Sequence, residues 1–157
     1  MNSHNPPEVC LYQPEIPQNT GNIGRTCVAV GAKLWLVKPL GFELTEKRLR
    51  RAGLDYWQHL DLEIVDDWEQ LLQRLPNLSP WVFTKHASQC YVDANYGIGD
   101  TLIFGNESSG LPAHIHDSWN ERCVRVPMRD EVRSLNLATT AGIAIYEAQR
   151  QISELTD

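Results

Sequence analysis

Three short stretches of this 157-residue chain carry polar side chains at spacings suited to holding a small molecule. The first is Asn19-Thr20-Gly21-Asn22-Ile23-Gly24-Arg25. Glycines and exposed N–H groups at the start of a helix let the backbone approach an anion. Arg25 lies about one turn into that helix, at about 1.5 Å of rise per residue, close enough to reach a ligand at its mouth. The plain alternative is a capped helix with Gly24 packed on a neighbour. The second stretch, Gly105-Asn106-Glu107-Ser108-Ser109-Gly110-Leu111-Pro112, directly follows an apolar run. Polar groups left unsatisfied beside a buried strand cost about 1–3 kcal/mol each. This loop is therefore either a site or a turn in which Glu107 and Ser108 serve local backbone amides. The third joins Val126-Pro127-Met128 to Ser134-Leu135-Asn136 through a charged loop from Arg125 to Arg133. Ser134 and Asn136 either cap the helix that follows or close over a ligand.

Chemistries that demand a fixed spacing are missing. There is no G-x-G-x-x-G for a dinucleotide and no Gly-Lys-Ser/Thr for a phosphate loop. G-x-S-x-G is not matched around Ser108 or Ser109, and no histidine is placed to serve them. Cys10, Cys27, Cys90 and Cys123 are scattered without a C-x-x-C and read as buried, reduced thiols. His114 and His116 have no carboxylate or thiol pattern around them, so they read as surface residues and no metal is expected.

The elements that must position these loops alternate between short apolar runs and helical stretches. Strands are predicted at Val9–Tyr12, Leu34–Val37, Leu62–Val65, Trp81–Thr84, Thr101–Phe104 and Cys123–Val126. Helices are predicted from Thr20 to Val30 with Asn19 or Thr20 as cap, from Thr45 to Arg51, and from Trp68 to Leu75 after Asp66. A last helix runs from a Ser134 cap to about Leu155, with Ala138, Ala141, Ile145, Ala148 and Ile152 on one stripe. Unalternating strands between helices predict one α/β domain, residues 1–157, built on a parallel sheet covered on both faces. Residues 1–7 are expected to be a flexible start. Ligands bind such sheets outside the carboxyl ends of the strands, which is where all three polar stretches fall.

Hydrophobic residues make up 42% of the chain and charged ones 22%, the balance of a globular protein. No apolar run is long enough to span a bilayer, and the N-terminus lacks the features of a signal peptide, so a cytoplasmic protein is expected. The net charge of −6 weighs against a nucleic-acid partner. The charges are uneven, however: Lys47, Arg48, Arg50 and Arg51 cluster, and Arg122, Arg125, Arg129 and Arg133 recur. That distribution leaves room for a local basic face on an acidic protein, and net charge alone does not decide it.

Taken together, N-x-G-x-x-x-R at Asn19–Arg25, G-N-E-x-x-G-L at Gly105–Leu111 and V-P-M…S-x-N-L at Val126–Leu137 resemble the SPOUT superfamily of RNA methyltransferases, in its SpoU branch. Leu11–Ile23 and Lys47–Tyr56 are similar to the minimal TrmL-like (YibK-like) subfamily. Where many of its members have Pro-Glu-Thr-Arg, this chain has Asn106-Glu107-Ser108-Ser109. The resemblance implies a C-terminal trefoil knot and S-adenosylmethionine as cofactor; because 157 residues offer limited RNA surface, a homodimer presenting basic patches from both subunits is expected. The resemblance also implies 2′-O-methylation of tRNA, at the wobble cytidine or uridine of leucine tRNAs, and no membrane or DNA partner. Another tRNA or ribosomal RNA site, or a non-catalytic RNA-binding module, are the alternatives. By residue matching, Phe83, Gly105, Val126, Met128, Ser134, Leu135 and Asn136 would hold the cofactor. Arg25 would act at the reacting hydroxyl, with Asn19 and Glu107 shaping the site. Lys47, Arg48, Arg50 and Arg51 are nominated for RNA, and the alanine stripe of the last helix for the dimer interface.

Overall fold

A strand buried on both faces must be apolar throughout. Leu34–Val37 (β2), Pro80–Phe83 (β4) and Thr101–Phe104 (β6) are buried at every position. The computed structural model describes residues 5–45, 47 and 55–156. The other strands are β1 (Glu8–Tyr12), β3 (Leu62–Val65), β5 (Gln89–Cys90) and β7 (Cys123–Arg125). All seven are parallel and form one sheet in the order β3-β2-β1-β6-β4-β7-β5. The four described α-helices with full bounds are α1 (Pro17–Val30), α2 (Trp68–Arg74), α3 (Ala113–Ser118) and α4 (Leu137–Thr156).

The two-residue period of the strands divides the core. Val9, Leu11, Leu34, Leu36, Phe83, Phe104 and Val124 face Ile23 and Cys27 of α1 and the stripe Ala141, Ala144, Ile145, Ala148 and Ile152 of α4. The alternate residues Cys10, Trp35, Val37, Val82 and Ile103 face Leu71 of α2 and Ile115 of α3. The expected thiols are free, and all but the half-buried Cys90 are buried. Burial pushes Cys27 up to about 12 and raises Cys10 and Cys123 as well, so these thiols stay protonated and inert.

Several expectations are corrected. Helix α1 starts at Pro17, not at Thr20, with proline in the first turn and no side-chain cap from Ile16. Helix α2 is capped by Asp67, whose Oδ1 accepts the Gln70 N–H at 2.8 Å. Gln70 Oε1 in turn accepts the Asp66 N–H at 2.6 Å. Helix α4 starts at Leu137, and its cap is Asn136, whose Oδ1 accepts the Thr139 N–H at 3.1 Å. Ser134 stays in the preceding loop, exposed. The alanine stripe of α4 is buried inside the protomer against α1 and the sheet, so it is not a surface for a second copy. The region before Gly99 contributes β5 and a helical turn at Tyr91–Asp93. Residues 1–4 of the expected flexible start lie outside the described residues, and Pro7 is buried. Most of the expected basic helix, including Arg48, Arg50 and Arg51, also lies outside them. Among the described residues no helix is long and apolar enough to cross a membrane.

Candidate active site

The site grows from two loops that leave neighbouring strands. After β6 the chain folds back on itself so tightly that a Cβ on Gly105 would lie 2.3 Å from the Gly110 carbonyl carbon. Only glycine fits there. Asn106 and Gly110 exchange backbone hydrogen bonds, and Gly110 closes the turn at φ 68. Asn106 Oδ1 accepts both the N–H and the Oγ–H of Ser109 at 2.8 Å. The local turn is therefore held by Asn106, which leaves Glu107 free to reach the loop that follows the adjacent strand.

Glu107 spans to the loop after β1. Its carboxylate accepts the Glu15 N–H at 2.8 Å, the Ile16 N–H at 3.2 Å and Asn19 Nδ2 at 3.4 Å. Ser108 Oγ donates to Glu15 Oε1 at 2.5 Å. Nearly buried Asn19 then accepts, through Oδ1, from Asn136 Nδ2 at 3.0 Å. Each end of the Asn19 amide thus has one partner of the right sense. A single chain of hydrogen bonds, Glu107–Asn19–Asn136, ties the three polar stretches together. It also explains the early start of α1, because a carboxylate some ninety residues away, not a local side chain, serves the amides ahead of Pro17.

Arg25 stands outside that network. Six residues after Asn19, it projects about 120° around the helix. It is exposed, and its guanidinium sits over the Tyr56 ring at 4.9 Å. Tyr56 Oη donates to the Gly21 carbonyl at 2.6 Å. Burial raises the Tyr56 hydroxyl above the usual phenol range, against the opposing pull of Arg25. Gly24 plays its plain role, since a Cβ there would meet the Trp57 ring at 2.7 Å. Glu15 and Tyr56 were missed by sequence reasoning. Glu15 is flanked by Pro14 and Ile16–Pro17 with no periodic signal, and Tyr56 is more than thirty positions from the arginine it supports.

Three of the nominated cofactor residues are brought together by neighbouring strands. Phe83, Gly105 and Val126 sit at or just past the carboxyl ends of β4, β6 and β7, with β4 the middle strand of the three. The Phe83 ring itself is buried, stacked on Phe104 with centroids 4.7 Å apart. It forms a floor beneath the strand ends. Val126, Met128 and Leu135 are half-buried, while Ser134 and Asn136 are exposed. Lys47 is exposed and helical. His114 is exposed as expected, but His116 is half-buried with its ring 6.5 Å from that of His86. Among the described residues no group of three metal-ligating side chains is present.

A parallel sheet whose carboxyl edge gathers an amide–carboxylate network beside the stacked Phe83 and Phe104 rings belongs to the α/β class, in which ligands bind outside the strand ends. More narrowly, the chain belongs to the SpoU rRNA Methylase family, matched over residues 6–146. It is 44% identical to a putative tRNA (cytidine(34)-2′-O)-methyltransferase of Geobacillus stearothermophilus, covering 92% of this chain and 94% of that one. It is 44% identical, with a TM-score of 0.88, to a solved structure concerned with 2-OH methylation of C/U34 on tRNA, covering 94% and 96% of the two chains. An AdoMet-bound rRNA methyltransferase from Sinorhizobium meliloti shares the fold at a TM-score of 0.83 and 25% identity, covering 94% of this chain and 57% of that one.

Proposed function

We propose that this protein methylates the ribose 2′-hydroxyl of the wobble nucleotide, C34 or U34, in tRNA, with S-adenosylmethionine as methyl donor. The observation that carries the reading is the Glu107–Asn19–Asn136 junction at the strand ends. It stands in a chain whose relatives carry that activity in their names. S-adenosylmethionine supplies a methyl group already activated on a sulfonium. The residues present suit such a group: Val126, Met128 and Leu135 offer an apolar slot over the Phe83–Phe104 floor, and Gly105, Ser134 and Asn136 bring backbone and polar groups to its rim.

The protein's own work is positioning, which can contribute up to ~7–11 kcal/mol. Glu107 already accepts three donors, so its task is to hold the entrance loop and the Asn19 amide rather than to take a proton. Arg25 has no carboxylate partner among the described residues, which leaves its fork for a phosphate and for the oxygen that loses its proton. Lys85, Arg125 and Arg133 lie at or beyond the ends of β4 and β7 and are likewise unpaired with any carboxylate among the described residues. By contrast, Lys33, Lys38, Arg74, Arg122, Arg129 and Arg150 all pair with carboxylates. Leaving cations over at this edge of an acidic chain supports an RNA partner, together with the nominated Lys47, Arg48, Arg50 and Arg51.

The reading extends to leucine tRNAs as substrates, on the resemblance at Leu11–Ile23 and Lys47–Tyr56, and to a cytoplasmic site of action, where tRNA is. It includes a trefoil knot, supported by the way β7, the last strand, enters between β4 and β5. It also includes a homodimer of one-domain protomers. With the alanine stripe buried, the outer face of α4 that bears exposed Tyr146 and half-buried Ile143 is the surface for it. The test is methyl transfer from labelled S-adenosylmethionine to total tRNA, followed by nucleoside analysis. Label in a 2′-O-methylated cytidine or uridine at position 34 is the expected result. Cofactor binding without transfer to any tRNA would refute the substrate, and no cofactor binding would refute the reaction.

A further inference from the structure

We infer that Tyr56 is a positioning residue for Arg25, holding its guanidinium toward the RNA from a segment outside all three polar stretches. The inference rests on the proposed role of Arg25. Two contacts from one side chain carry it. The Tyr56 ring lies under the guanidinium at 4.9 Å, and the Tyr56 hydroxyl donates to the Gly21 carbonyl at 2.6 Å. In an α-helix the carbonyl of residue 21 is also the acceptor for the amide of residue 25. Tyr56 therefore grips the arginine at its head and at the turn that carries its backbone.

The grip itself is anchored. Trp57 packs its ring where a Cβ on Gly24 would be, so the helical turn Asp55–His59 cannot slide along α1 without meeting its backbone. A long arginine on an exposed helix face otherwise samples many rotamers, and an aromatic face that restricts them lowers the entropy lost when the fork meets a phosphate. Tyr56 does not serve as the base. Burial keeps its hydroxyl protonated at neutral pH, and that proton is committed to the Gly21 carbonyl.

The test is a double-mutant cycle read by single-turnover methyl transfer to tRNA, with cofactor affinity and thermal melting measured on every variant. Tyr56→Leu removes ring and hydroxyl; Tyr56→Phe keeps the ring. Tyr56→Leu is expected to slow transfer by about 10-fold with cofactor affinity unchanged, and Tyr56→Phe by no more than about 3-fold. In an Arg25→Ala background, Tyr56→Leu is expected to cost less than a further ~2-fold. Equal losses from Tyr56→Leu with and without Arg25 would overturn the inference, since Tyr56 would then act only through the fold. Undiminished transfer by Arg25→Ala would overturn both this inference and the reading of Arg25. An Arg25→Ala defect with full activity in Tyr56→Leu would overturn the inference alone.

Discussion

Two carboxylates at opposite edges of the same sheet show how one device serves two ends. At the amino edge, Asp100 is 6% exposed. It accepts from Ser79 Oγ at 2.7 Å, Trp81 Nε1 at 2.9 Å and the Gly97 N–H at 2.8 Å. Arg122 adds an ion pair at 3.5 Å while its guanidinium lies 4.2 Å from the Trp81 ring, and its Nε donates to the Pro80 carbonyl. Charge and lone pairs are both satisfied inside the protein. At the carboxyl edge, Glu107 also gathers three donors, but all are neutral and no cation is paired with it among the described residues. Arg25, on α1, lies against an aromatic ring and pairs with no carboxylate among the described residues. The network at the amino edge has its charge balanced inside the protein, and the one at the carboxyl edge draws only on neutral donors.

Breaking the network at the amino edge gives the largest change in stability. Asp100→Ala strands Arg122 and the Trp81 indole and is expected to destabilise by about 3 kcal/mol, a fall of roughly 10 °C in Tm, seen by calorimetry. Transfer by the fraction still folded at low temperature is expected to stay near normal, and a specific loss of turnover there would contradict the division between the edges. Arg25→Lys should do the reverse, lowering transfer by about 100-fold while melting is unmoved, because an ammonium has no planar fork. Near-normal turnover would remove Arg25 from the chemistry. Glu107→Gln turns one acceptor into a donor facing other donors; about 1–2 kcal/mol of stability and roughly 10-fold in turnover are expected to go together. The smallest effect belongs to Asn136→Ala, which loses the α4 cap and the tie to Asn19, at about 1 kcal/mol in chemical denaturation.

Strands β2 and β6 were legible to the residue, because unbroken apolar runs bounded by proline and glycine admit one reading. Helix ends were less so. The start of α1 is served by Glu107 from the loop after the neighbouring strand β6, and local capping chemistry pointed instead to Asn19 and Thr20. Asn19, Glu107 and Asn136 were each nominated from the sequence, and the fold brings the three together. Their bonding to one another was not legible, since residues 88 and 117 positions apart leave no periodic trace. The alanine stripe of α4 had the right period for an interface, yet period alone does not distinguish burial within a protomer from burial between two.

The sequence by itself determined the α/β class, the strand runs, the polar loops at their ends and the family, all of which depend on residue type and local spacing. Only the tertiary structure decided which donors each carboxylate receives, that α4 spends its alanine stripe on α1 and the sheet, and that Tyr56 stands beneath Arg25. Hydrogen bonds and ring contacts act over a few ångströms in space, and folding alone sets which distant residues come within that reach.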